Sequence, residues 1–239
     1  MISRRQFVYF ATSLAITSTV GFGEDGSMFP NNLDHLIVGC SDLDAGIAML
    51  EKSTGVKARF GGVHPGRGTR NALASFGDLH YLEIIAPDPA QTEVPPEQAE
   101  MPRELKALKA PQLVGWAVHT NNIEAVAKDL TARGVKNSGV QPGSRKRGDG
   151  RVLSWKTLGI DDSIGVLPFF IEWSKETTHP SVDAPAGLRL DIFAVAAPDQ
   201  QLLRAELEKL GLKVSVGSAA KPELRSTISG PKGKLAIHS

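Results

Sequence analysis

Cysteine is almost absent: Cys40 stands alone in 239 residues, so no disulfide can close within the chain and no all-cysteine zinc site can form. Charge of one sign is missing as well. The 27 Lys and Arg face 26 Asp and Glu for a net charge of +1, which provides neither the basic footprint of a nucleic-acid binder nor a polybasic grip on a membrane. Long apolar runs are also lacking. The best one, residues 8–22, is interrupted by Thr and Ser and is too short for a stable membrane span. With 41% hydrophobic and 22% charged residues, the chain is an ordinary globular one, long enough for one large or two small domains. The partner these exclusions leave is a small molecule, and they leave room for a homodimer.

The N-terminus carries Ser3-Arg4-Arg5-Gln6-Phe7 ahead of that apolar run. The pattern resembles a twin-arginine export signal over residues 1–27, with Gly21-Phe22-Gly23 as a small-x-small cleavage site, and it implies a periplasmic location.

Beyond it the chain repeats itself. LDHLIVG (33–39) reads as a buried strand and is followed by Ser41-Asp42-Leu43-Asp44, a capping-box pattern, and by Leu43, Ile47 and Leu50 at helical spacing. LVGWAVH (113–119), with Ile123, Val126 and Leu130, repeats the arrangement. So does LRLDIFAV (188–195), with Leu203, Leu207 and Leu210. Helix-stopping glycines stand at Gly55, Gly134 and Gly211. After each helix, short strands alternate with turn residues: 56–60, 71–76 and 80–85 in the first unit, 135–140, 151–158 and 167–173 in the second, and 213–216, 224–228 and 235–238 in the third. The spacing predicts an α+β fold of paired βαβββ modules over 32–182 and a partial third βαββ module over 187–239, the first two enclosing a cleft. The Pro-rich stretches 86–110 and 175–186 read as linkers.

His35 lies inside the first strand, and Glu83 and Glu172 lie inside the apolar runs YLEII and FFIEW. A carboxylate in such a run demands a cation, a proton or several donors. One His and two Glu suit one divalent metal, Zn, Mn, Fe or Ni, with open positions for substrate. The loop 61–71 offers His64, Arg70 and Asn71 to an anionic substrate, and Arg147 belongs to a basic patch with Arg145, Lys146 and Arg151 that would receive a carboxylate or phosphate. Trp116, Trp155 and Trp173 lie in strand-like runs and read as core.

His35 within LDHLIVG, Glu83 within YLEIIAP and Glu172 within FFIEW resemble the metal ligands of the vicinal oxygen chelate superfamily. More narrowly, HPGRGTRNALASFG, YLEIIAPDP, GSRKRGDG and LPFFIEW resemble its glyoxalase-like members. The resemblance implies a cupped, incomplete barrel of paired modules with a metal between them, held by one residue from each of four strands. It implies a lyase, isomerase or dioxygenase acting on a small oxygenated, anionic molecule, with Glu172 as both ligand and base. The alternative within the same fold is a non-catalytic protein that binds or sequesters a small molecule. One position departs from the pattern: where the second module should repeat His35, the chain has Gly115, or Val114 in the neighbouring register. A fourth ligand would then have to come from His64, Asp191 or water.

Overall fold

The computed structural model describes residues 30–147 and 150–239. The export-like segment lies outside the described residues, and no helix among them is long and apolar enough to cross a membrane. The first module runs β1 (Leu33–Gly39), α1 (Leu43–Thr54), β2 (Arg59–His64), β3 (Thr69–Gly77) and β4 (His80–Pro87). The second runs β5 (Gln112–His119), α3 (Ile123–Ala132), β6 (Asn137–Lys146), β7 (Val152–Ile160) and β8 (Phe169–Trp173), after a linker that carries α2 (Glu100–Ala107). Asp42 caps α1 by accepting from the Ala45 N–H, so the cap lies one residue after the Ser41 that the sequence pattern favoured. Gly55 ends the helix at φ 82°, a left-handed conformation that costs glycine little.

The two modules form one eight-stranded sheet in the order β2-β3-β4-β1-β5-β8-β7-β6. Within each module the first and last strands pair in parallel, and β1 and β5 join the halves antiparallel. A pseudo-twofold axis passes between β1 and β5. The sheet curls until its edge strands β2 and β6 approach each other without pairing, leaving a seam.

The C-terminal part follows a short helix, α4 (Pro180–Asp183), and contains β9 (Arg189–Ala197), α5 (Gln200–Lys209), β10 (Ser215–Ser218), β11 (Glu223–Gly230) and β12 (Gly233–His238). Its three strands after the helix correspond to the runs 213–216, 224–228 and 235–238, so its sequence of elements is that of a full module and not of a βαββ unit, but its strand order is not that of a module. The order is β10-β9-β11-β12, with β9 in the interior between parallel β10 and antiparallel β11. This is a separate four-stranded sheet rather than a third copy. Element order is set by local periodicity, whereas strand order depends on long-range packing that periodicity does not encode.

The second sheet covers the outer face of the barrel's central strands. Trp116 of β5 is fully buried, bonds the Val166 carbonyl at 2.8 Å and meets Phe193 of β9 edge-on, with ring centroids 5.0 Å apart. Leu36, Val38, Leu82 and Ile84 join Leu190, Val195 and Ile228 in one continuous core. Strands β1 and β4 are therefore buried on both faces, which is why their sequences are apolar almost throughout.

Candidate functional site

Inside the curl lies a cavity of about 410 Å³. Alternation along β1 and β4 turns His35, Ile37, Tyr81, Glu83 and Ile85 into it, and Asn71 and Thr69 enter from β3. The opposite wall comes from the second module, with Trp155, Thr157, Phe169, Ile171 and Trp173.

Asp34 precedes His35 and by strict alternation should face the opposite side. The β1–β5 register slips between Leu33 and His35, and this bulge brings both side chains together. Asp34 is fully buried. Burial alone would raise its pKa, but hydrogen bonds from His179 and His35 and the fields of both rings hold its carboxyl well below the usual carboxylate range. An ionised carboxylate can only accept. His35 Nδ1 therefore donates to Asp34 Oδ1 at 2.6 Å, while Trp173 Nε1 and His179 Nε2 donate to Oδ2 at 3.0 and 3.2 Å. With a proton fixed on Nδ1, the His35 ring turns Nε2 into the cavity, 3.6 Å from Glu83 Oε2. Tyr81 stacks on the same ring with centroids 4.6 Å apart.

Glu83 is held from its other oxygen. Asn71 Nδ2 donates to Oε1 at 2.6 Å and lies 3.3 Å from His64 Nε2, and His64 Nδ1 meets Thr69 Oγ1 at 2.9 Å. Desolvation would raise the Glu83 pKa, but His64, His35, the Asn71 bond and Arg145 together lower it. Burial pushes the His64 pKa down; Glu83 opposes this, while Arg145, Arg67 and His35 reinforce it. The site thus holds an anionic Glu83 beside a histidine biased towards its neutral form.

The pseudo-twofold shows how the second half differs. It equates position 35 with 115 and 37 with 117, because His35 pairs with Ala117 as Ile37 pairs with Gly115. Gly115 is therefore the counterpart of His35. The β1–β4 pairing of His35 with Tyr81 and the β5–β8 pairing of Ala117 with Phe169 make Phe169 the counterpart of Glu83. Glu172 lies three residues further along and so faces the other way. Its carboxylate accepts from the Ile123 N–H at 2.6 Å, at the start of α3, and it does not line the cavity.

His35 and Glu83 thus meet, and Glu172 stays apart from them. The four-strand ligand set implied by the superfamily does not fit these residues, since β5 and β8 offer Gly115 and Phe169 at the matching places. Among the described residues, no three His, Cys, Asp or Glu side chains stand where they could hold a metal ion. Neither of the two residues suggested for a fourth ligand changes this. His64 does enter the site, but Asp191 pairs with Arg189 and Lys234 on the second sheet.

Of the residues proposed to bind substrate, His64 and Asn71 line the cavity, and Arg70 and Arg147 do not. Arg70 follows Thr69 on β3 and points to the opposite face. Arg147 is paired with Asp183 at 2.6 Å. Sequence reasoning missed Asp34, Tyr81 and the cavity-facing roles of Trp155 and Trp173, and it placed Arg145 only in a basic patch and not in the inner cavity. The alternation of β4 could have found Tyr81, two residues before Glu83. Asp34 depends on a bulge that has no local signature. Arg145 is 4% exposed despite its charge, because β6 carries it into the seam.

A family model described as a glyoxalase-like domain matches residues 33–211. No curated protein matches the chain. Among solved structures, a hypothetical protein from Staphylococcus aureus is 18% identical over 86% of this chain and 84% of its own, with a TM-score of 0.59. Methylmalonyl-CoA epimerase from Mycobacterium tuberculosis is 20% identical over 64% of this chain and 93% of its own, with a TM-score of 0.45. The Streptomyces coelicolor epimerase in complex with 2-nitronate-propionyl-CoA is 24% identical over 60% and 97%, with a TM-score of 0.44. At 18% identity the likeness to the Staphylococcus aureus protein is one of fold. Because the family model spans more than half of its length, the chain belongs to the glyoxalase-like family of the vicinal oxygen chelate superfamily.

Proposed function

We propose that the cavity catalyses proton transfer at a carbon next to a carbonyl or carboxylate of a small anionic molecule, with His35 as the base. The observation that carries this reading is the buried Asp34–His35 pair, which fixes the proton on Nδ1 and presents Nε2 to the cavity. In such a step the C–H proton moves to Nε2 and the electron pair moves to the carbonyl oxygen, giving an enolate. Asp34 and Glu83 then stabilise the imidazolium from either side, and the Arg145 guanidinium lining the same cavity offsets the charge of the enolate. Return of the proton to the other face or to a neighbouring atom would complete an isomerisation. Loss of a leaving group from the enolate would make the protein a lyase. Glu83, held low by its neighbours, is the weaker base and serves as an electrostatic partner.

A second reading, sequestration without turnover, is favoured by the aromatic wall of Trp155, Phe169 and Trp173, which suits flat ligands. One experiment separates the two. Small 2-oxo and 2-hydroxy carboxylates are incubated with the protein in D₂O and deuterium uptake is followed by NMR. Exchange should be catalysed by the wild type and lost in His35→Gln. Ligands that bind in calorimetry but never exchange would establish the binding reading instead.

A further inference from the structure

The network around Glu83 leaves over two polar atoms of the inner cavity. Asn71 is 2% exposed and Arg145 4%, both line the cavity, and neither Asn71 Oδ1 nor Arg145 Nη1 has a hydrogen-bond partner among the described residues. The amide is not free to turn. Its Nδ2 donates to Glu83 Oε1 at 2.6 Å, and a flipped amide would set oxygen against oxygen. Oδ1 is therefore held as an acceptor, while a guanidinium nitrogen can only donate. Burying either of them without a partner is costly.

Gly61 brings the two within reach of one group. It is the extra residue of a bulge, since the β2–β3 register slips between Phe60 and Gly62. A Cβ on Gly61 would stand 2.5 Å from Asn71 Oδ1 and 3.0 Å from Arg145 Nη1. Both atoms thus border the same small space, which any other residue would take with its own side chain. A carboxylate or phosphate placed there would accept from Arg145 but repel Oδ1, and an ammonium would do the reverse. A hydroxyl suits both, because its oxygen accepts while its proton is donated.

We propose that Asn71 Oδ1 and Arg145 Nη1 form a subsite for a hydroxyl group, and that the hydroxyl belongs to the molecule whose C–H proton passes to His35, making the substrate a hydroxylated carbonyl compound. The second half of the proposal rests on the proton-transfer reading; the first half does not.

The test follows, by calorimetry on the full chain, the binding of 2-oxo acids hydroxylated at the far carbon, from 3-hydroxy-2-oxopropanoate to 5-hydroxy-2-oxopentanoate, each beside its deoxy and O-methyl counterparts. At least one hydroxylated acid should bind about tenfold more tightly than its deoxy counterpart, as a group completing two buried hydrogen bonds does. The methyl ether, which accepts but cannot donate, should lose that gain. Gly61→Ala should level all three, since its methyl takes the same space. Gly61 does not use a positive φ, so alanine adds no backbone strain there. Equal binding of hydroxylated and deoxy acids throughout the series, the result a water molecule alone at the subsite would give, overturns the proposal, as does the absence of any binding. So does a hydroxyl preference that survives in a Gly61→Ala protein melting like the wild type. If that variant does not fold, the ethers decide, and an ether bound as tightly as the alcohol overturns the subsite. Deuterium exchange tests the second half. At limiting concentration the hydroxylated acid should exchange about tenfold faster than its deoxy counterpart in the wild type, an advantage lost in Gly61→Ala. Equal rates despite preferential binding overturn the link while leaving the subsite intact. Failure of every acid to exchange, with the hydroxyl preference still present, overturns the proton-transfer reading and the link with it, and again leaves the subsite.

Discussion

Asp34 shows how much one residue can carry. It accepts hydrogen bonds from His35, His179 and Trp173 while having no exposure of its own. Asp34→Ala would leave three buried donors unpaired, and a loss of about 3–5 kcal/mol follows from breaking a buried charged network. Asp34→Asn should fold better yet slow any proton exchange, because the amide lets His35 adopt the other tautomer. The pH dependence has a definite sign. His64 titrates at 6.5 when unfolded and lower when folded, so acidification first loads protons onto the unfolded chain below about pH 6.5. Glu83 and Asp34, both lowered from 4.5 and 3.8, add to the same trend at lower pH. Stability should be highest above neutrality and fall steadily into acid, with His64→Gln removing the first part of the decline. Urea midpoints between pH 8 and 4 measure this, and a flat profile would contradict a neutral, buried His64.

At the scale of elements, the strands and helices of both modules could be read from periodicity, since a two-residue or 3.6-residue repeat is written locally. His35 and Glu83 were legible for the same reason, as polar groups inside apolar strands. The register of β8 was not. FFIEW carries a carboxylate that looks like the repeat of Glu83, but the pairing of Ala117 with Phe169 sets the match three residues earlier, and an odd offset reverses the face. Glu172 therefore belongs to α3, where it satisfies one of the N–H groups at the helix start. Glu172→Gln should cost about 0.5–1 kcal/mol of stability, as loss of a charged capping interaction does, and leave ligand binding in the cavity untouched. Chemical denaturation alongside a binding titration checks both, and weakened binding with unchanged stability would return Glu172 to the site.

For the whole molecule, the core makes the C-terminal sheet an integral part of the barrel rather than an appendage. Trp116 and Phe193 are both fully buried against each other, so Phe193→Ala should cost about 3–5 kcal/mol, as large aromatic truncations in a core do. Thermal unfolding should show a single transition, and a chain ending at residue 186 should aggregate, because the outer face of β1 and β5 would be bare. Two separate transitions would show that the sheets fold independently. Export is a proposal of the same scale: with Arg4→Lys and Arg5→Lys, fractionation should find the protein in the cytoplasm, and unchanged export would dismiss the twin-arginine reading.

The pseudo-twofold has a consequence for how such a protein could change its diet. Every ionisable group packed around His35 Nε2 in the first half, His64 and Glu83 included, has an uncharged counterpart or none in the second, where Gly115, Thr157 and Phe169 occupy the places of His35, Asn71 and Glu83. Substitutions in the second half can then reshape the pocket while the proton-handling groups stay as they are. A library confined to Gln141, Trp155, Thr157, Phe169 and Ile171 should yield variants with altered ligand preference and wild-type pH response, whereas the same diversity placed on β1 and β4 should yield mostly inert protein. The duplication would thus have left one half to preserve the reaction and freed the other to explore what it acts on.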